Sequence, residues 1–144
     1  MSTYSPKNWL GRIAAGVALA FGVLTVLSGG YVLFGGVAGQ VAAGDAVPFV
    51  VWFNFLSGFI YILAGIGIAM GRHWATRMAI ALAVAIATVF ALFGLHVVQG
   101  GAFEMRTVGA MTLRLVVWVA ISAVAVRNSR ASNPLQRERS TSKR

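Results

Sequence analysis

Glu104, Arg106, Thr107 and Arg114 lie within one short stretch, Glu-Met-Arg-Thr-Val-Gly-Ala-Met-Thr-Leu-Arg. Two guanidinium groups, a carboxylate and a hydroxyl at this spacing suit the capture of an anion, because guanidinium offers a planar fork of donors to phosphate or carboxylate. Eight residues of helix set Arg106 and Arg114 about 80° apart, so they share one broad face, with Thr107 on or beside it. Asn54 adds an amide whose carbonyl can accept from guanidinium, and His96 adds a ring nitrogen. Arg114 is the exception among its neighbours. It stands inside an apolar run, and a fixed charge within a bilayer costs several kcal/mol unless it is paired, hydrated or snorkelling.

The elements that position these residues follow from composition. The chain has 144 residues, of which 58% are hydrophobic and 10% charged, with a mean hydropathy of +0.80. That balance belongs to an integral membrane protein. Four apolar stretches, roughly 13–34, 48–70, 78–98 and 107–126, each supply the ~20 residues a spanning helix needs. The expected fold is all-α, an integral membrane four-helix bundle occupying residues 1–126, followed by a basic, disordered tail over 127–144. The links between spans are too short to fold on their own, so any chemistry lies within or just outside the helices.

Ten of the 12 lysines and arginines lie in the head (Lys7, Arg12), the second link (Arg72, Arg77) and the tail (Arg127, Arg130, Arg137, Arg139, Lys143, Arg144). Only Arg106 and Arg114 lie at the other end. The positive-inside rule therefore predicts both termini in the cytoplasm, in a bacterial plasma (inner) membrane, and an even number of spans agrees. The first span follows basic residues as a signal peptide would, but its apolar run is too long for an h-region.

Taking 1.5 Å per residue from the outer interface, Ser28 and Asn54 lie about 9 Å deep and Arg114 about 10 Å. His96 is within one turn of the same surface, and Glu104 and Arg106 lie just above it. The inner half carries little that is polar beyond Thr25, Tyr61, Thr88 and Ser122. A one-sided cluster argues against a through-going ion path. Small residues at three- and four-residue spacing, among them Gly22, Gly29, Gly58 and Gly65, predict close helix packing. The paired signatures Ser28-Gly29-Gly30 and Gln99-Gly100-Gly101 hint at a duplicated hairpin.

Several classes are excluded or disfavoured. The net charge of +9 suggests nucleic acid, but the charges are split among membrane-flanking segments and the tail has no aromatics to stack on bases. Zero cysteines remove disulfides and thiolate sites. His73 and His96 fall on opposite sides of the membrane, which disfavours bis-histidine haem, and His96 with Glu104 gives at most two metal ligands. No cofactor is expected, and no phosphate-loop, dinucleotide or nucleophile-elbow pattern occurs.

The candidate site is thus Arg114, Arg106, Glu104, His96, Asn54 and Thr107, taking an anion, a lipid headgroup or a partner. Each member has a plainer reading: Arg114 and Arg106 as interface anchors, His96 as a hydrogen-bonded interface residue, Asn54 as a helix-to-helix bond, Glu104 as a counter-charge. The favoured function is a non-catalytic accessory or assembly subunit whose outer polar cluster binds membrane lipids or a membrane-protein partner, with a homo-oligomer as another form of partner. The alternatives are a small transporter or anion-binding protein with an outward-facing pocket and, behind these, a lipid-active enzyme using Glu104 and His96.

Overall fold

A computed structural model describes residues 7–131, with the side chains of 9–130. The chain forms α1 (Lys7–Phe34), α2 (Gly36–Ala43), α3 (Pro48–Ala69), α4 (His73–Val98) and α5 (Met105–Ala131), and no strand occurs among the described residues. All but α2 are long and apolar enough to cross a membrane, and the chain is an all-α integral membrane protein. Three of these helices extend beyond the apolar stretches: α1 starts before residue 13, α4 before 78, and α5 both starts before 107 and runs past 126. Hydropathy marks only the part that must avoid water, whereas the backbone keeps its hydrogen-bond ladder through the polar interface. Helix α5 therefore takes in the first residues of the segment expected as a tail. The remainder of that tail, from 132, lies outside the described residues.

The four long helices pack as a ring, α1 on α3, α3 on α4, α4 on α5 and α5 back on α1. Gly11 of α1 meets Asn128 of α5, which puts the start of α1, the end of α5 and the α3–α4 turn at one end of the bundle. We call this the terminal end and the opposite one the α2 end. Tyr61 and Trp118, both fully buried, meet across the core with ring centroids 4.6 Å apart.

The α1–α3 contact is an antiparallel seam built on glycine. Gly22 and Gly29 of α1 are seven residues apart, as are Gly58 and Gly65 of α3, so each pair returns to the same face after two turns. A Cβ on Gly22 would stand 2.9 Å from the Ile62 backbone nitrogen, and one on Gly58 3.1 Å from that of Val26. Helix backbones approach this closely only where side chains are absent, which is how association proceeds in lipid.

The two polar-Gly-Gly signatures do different work. Gly29 and Gly30 lie inside α1 against Phe55. Gly100 instead ends α4 at φ +84°, the Gly101 N–H donating to the His96 carbonyl at 3.0 Å, a left-handed helix stop. The duplication hint has no structural counterpart.

The link over 35–47 is not simply a loop. Gly35 ends α1, and α2 then turns across this end of the bundle. Its eight residues are too few to span, and Val37 and Val41 stay exposed. Its inner edge, Gly39, is buried against the Tyr31 carbonyl.

Candidate functional site

At the α2 end the ring opens. Helix α1 presses on α3 but stands off from the first turns of α5, leaving a cavity of about 280 Å³. Its walls are Thr25, Ser28 and Val32 of α1, Ala42 and Ala43 at the end of α2, Ala46 and Val47 beyond it, Val50 and Asn54 of α3, and Thr107, Ala110 and Arg114 of α5. Residues 107, 110 and 114 recur at helical spacing, so α5 directs this stripe at the gap. The lining is mainly apolar with a few polar groups converging on it, the usual make-up of a small-ligand site.

Arg114 turns inward. Its guanidinium carbon lies 6.0 Å from the centroid of the Phe21 ring, the outer limit of a cation–π contact. The Tyr61 phenol is within electrostatic reach. Phe21 is thirteen residues from the α2 end of α1, about 20 Å at helical rise, so the charge points toward mid-bundle rather than snorkelling along the surface. Arg114 Nε is buried without a hydrogen-bond partner, and Arg114 makes no hydrogen bond or ion pair among the described residues. Asn54 Oδ1 is buried and unpartnered as well. A buried donor and a buried acceptor line one cavity and do not satisfy each other. Such groups ordinarily find water, an ion or a ligand.

Glu104 and Arg106 are occupied elsewhere. Glu104 precedes α5, and its carbonyl accepts the Thr107 N–H at 2.9 Å. Glu104 Oε1 accepts the Asp45 N–H at 3.1 Å, and Oε2 lies 3.9 Å from Arg106 Nε. Arg106 Nη2 donates to the Ala42 carbonyl at 3.0 Å, in the last turn of α2 where a cation is favoured. Together these contacts staple the end of α2 to the start of α5. The staple is open to water, Arg106 being 72% exposed, so it holds α2 and the link after it, which we call the lid, without strongly stabilising the fold.

Sequence reasoning missed Gly44, on which the staple depends. It sits at φ +57°, and any Cβ there would run into the Glu104 carboxylate. A Gly-Asp pair between apolar runs was the available signal. Five of the expected residues therefore share the cavity: Arg114, Arg106, Glu104, Asn54 and Thr107. His96 does not line it. Its ring folds over Gly101, with Nε2 3.2 Å from the Ala102 carbonyl, closing its own turn.

The Thr107 N–H, bonded to Glu104, is no longer free for an anion. Binding thus falls to side chains: one guanidinium without a hydrogen-bond partner, an amide and the hydroxyls of Thr25 and Thr107, the Ser28 hydroxyl already donating to the Thr25 carbonyl at 3.3 Å. These can hold an anion in an apolar setting. The Glu104–His96 pair needed for acid–base work is not assembled in the cavity, and no group of three or more metal-ligating side chains occurs among the described residues.

No protein family, curated protein or solved structure matches this chain.

Proposed function

We propose that this membrane protein is a non-catalytic binding subunit whose α2-end cavity takes a single anionic group, a carboxylate or phosphate, from a neighbouring membrane protein or a lipid. One observation carries the reading: Arg114 brings a fixed positive charge to the floor of a cavity and no carboxylate among the described residues answers it. The nearest acid, Glu104, is engaged at the lid. A charge at such depth costs about 2.5–3.5 kcal/mol on insertion scales, which an arriving anion would offset. The charge asymmetry of the chain supports a reading in which the α2 end faces outside and the termini face the cytoplasm, in what we take to be a bacterial inner membrane. In this role the protein is an accessory component of a larger assembly.

The test is purification in mild detergent followed by mass spectrometry of retained lipids and proteins. Wild-type protein retains a stoichiometric anionic lipid or partner, and Arg114→Leu inserts normally but loses it. Equal retention by the variant contradicts the reading.

A second reading, a small anion transporter, has its own observation. Arg114, Trp118 and Ser122 recur every four residues along α5, each with a buried unpartnered polar atom, and Tyr61 of α3 carries another, its hydroxyl facing Ser57 without closing a hydrogen bond. This stripe leads from the cavity toward the opposite end. Tyr61 and Trp118 plug it at mid-depth. Anion uptake into vesicles that is lost in Arg114→Leu would favour transport over static binding.

A further inference from the structure

Two buried groups of opposite kind stand unanswered in the α2-end cavity. Arg114 Nε is a donor, Asn54 Oδ1 is an acceptor, neither has a hydrogen-bond partner, and both residues line the one space. Resting on the anion-binding reading proposed above, we infer that the anion is the free C-terminal carboxylate of a partner polypeptide. Arg114 takes the carboxylate and Asn54 a backbone N–H just behind it.

Hydrogen-bonding capacity separates this ligand from its competitors. A fatty carboxylate or a phosphate diester presents only acceptors at its anionic group. It would answer the guanidinium but turn acceptors toward the Asn54 carbonyl, and a polar group left unmet in an apolar site costs more than a made bond gains. A chain end carries a carboxylate and, on the same residue, a neutral N–H, so one ligand answers both groups. A free amino acid has the same spacing with an ammonium in place of that N–H. This brings a second positive charge near Arg114 in a setting that screens poorly. Among the described residues the acids are Asp45 and Glu104, and both stand at the lid, where the Glu104 carboxylate accepts the Asp45 N–H and faces Arg106. The neutral chain-end N–H is the better match.

Depth gives the order of contacts. The Arg114 guanidinium lies toward Phe21, about 20 Å from the α2 end along α1, whereas Asn54 is about 9 Å from that end along α3. The carboxylate therefore leads and the backbone trails toward the mouth. Thr107 lines the cavity at the start of α5, and its hydroxyl can donate to a carbonyl of the trailing chain. Ala42, Ala46 and Ala110 form much of the apolar wall, so the space of about 280 Å³ suits an extended chain end with small apolar side chains. A helix, about 10 Å across with its side chains, is too wide for it. Capture of a C-terminal carboxylate is a recurring mode of peptide recognition.

The test uses full-length protein in a neutral detergent and reads Tm by tryptophan fluorescence against ligand concentration. The probes are N-acetyl-Ala-Val-Ala as the free acid, the same peptide as its C-terminal amide, the free acid with its last peptide N–H replaced by an ester oxygen, and hexyl phosphate. The free acid is expected to raise Tm in a saturable way and the amide not to do so. The ester lacks the donor and should need about tenfold more ligand for the same response, and hexyl phosphate should also need more than the free acid. In Asn54→Leu the free acid and the ester should become equivalent, and Arg114→Leu should respond to neither. Equal wild-type responses to acid and amide, or to acid and ester, overturn the inference, as does an ester penalty that persists in Asn54→Leu. A saturable response to hexyl phosphate with none to the peptide acid overturns the chain end as ligand and leaves Arg114 an anion site. No response to any probe overturns both. Should Asn54→Leu not fold, the wild-type comparison of acid, amide and ester decides by itself.

Discussion

One helix, α1, faces two neighbours in opposite ways. Toward α3 it presents Gly22 and Gly29, and the two backbones come nearly into contact. Toward α5 it presents Thr25 and Ser28, and the helices part over a cavity with Arg114 at its floor. In lipid there is little hydrophobic drive between helices, so small side chains bring them together by close packing while unanswered polar groups hold open a space. The seam carries the fold, and the proposed function rests on the cavity. Variants on the two sides of α1 should therefore fail differently.

The largest effect is expected in the seam. Gly58→Leu forces a side chain into the Val26 backbone, and overpacking against rigid backbone should cost about 3 kcal/mol or more. The measurement is recovery of monodisperse protein and its Tm, and both should collapse. A well-folded Gly58→Leu would show that the seam is not what holds the bundle.

Next comes the cavity. Arg114→Leu removes an unpartnered charge from an apolar depth, and stability should rise by about 2 kcal/mol. A loss of stability would mean that Arg114 holds the helices together and belongs with the seam. At the lid, Gly44→Ala imposes a left-handed backbone on a residue with a Cβ and displaces Glu104. It should cost about 1–2 kcal/mol and weaken ligand retention, with the α1–α3 contact unchanged in a cross-linking assay. The smallest effect sharpens the contrast among glycines. A Cβ on Gly94 meets nothing within 4 Å, so Gly94→Ala should stabilise by about 0.5–1 kcal/mol, opposite in sign to the seam.

Much of this was legible from the chain. Hydropathy gave four spans because a bilayer requires long apolar helices, and Pro48 marked the start of α3 because proline is favoured in the first turn. Depth counting brought Ser28, Asn54 and Arg114 to about one level since helical rise is constant, and all three line the cavity. Direction was not legible. Whether Arg114 turns outward or toward Phe21 depends on a gap between α1 and α5 that no single helix encodes. The position of the His96 ring was illegible for a related reason: the stop at Gly100 folds it back over Gly101, and it does not line the cavity. The lid was missed because α2 is too short for a span and was counted as a link.

The most direct test of the central claim compares two probes that differ in charge and little else. Tm is measured for wild type and Arg114→Leu against increasing hexanoate, hexyl phosphate and hexanol. An anionic ligand held by Arg114 requires that hexanoate or hexyl phosphate raise the wild-type Tm in a saturable way, that hexanol not do so, and that Arg114→Leu show no anion response. Matching responses to hexanol and the anions, or an undiminished anion response in Arg114→Leu, would contradict it.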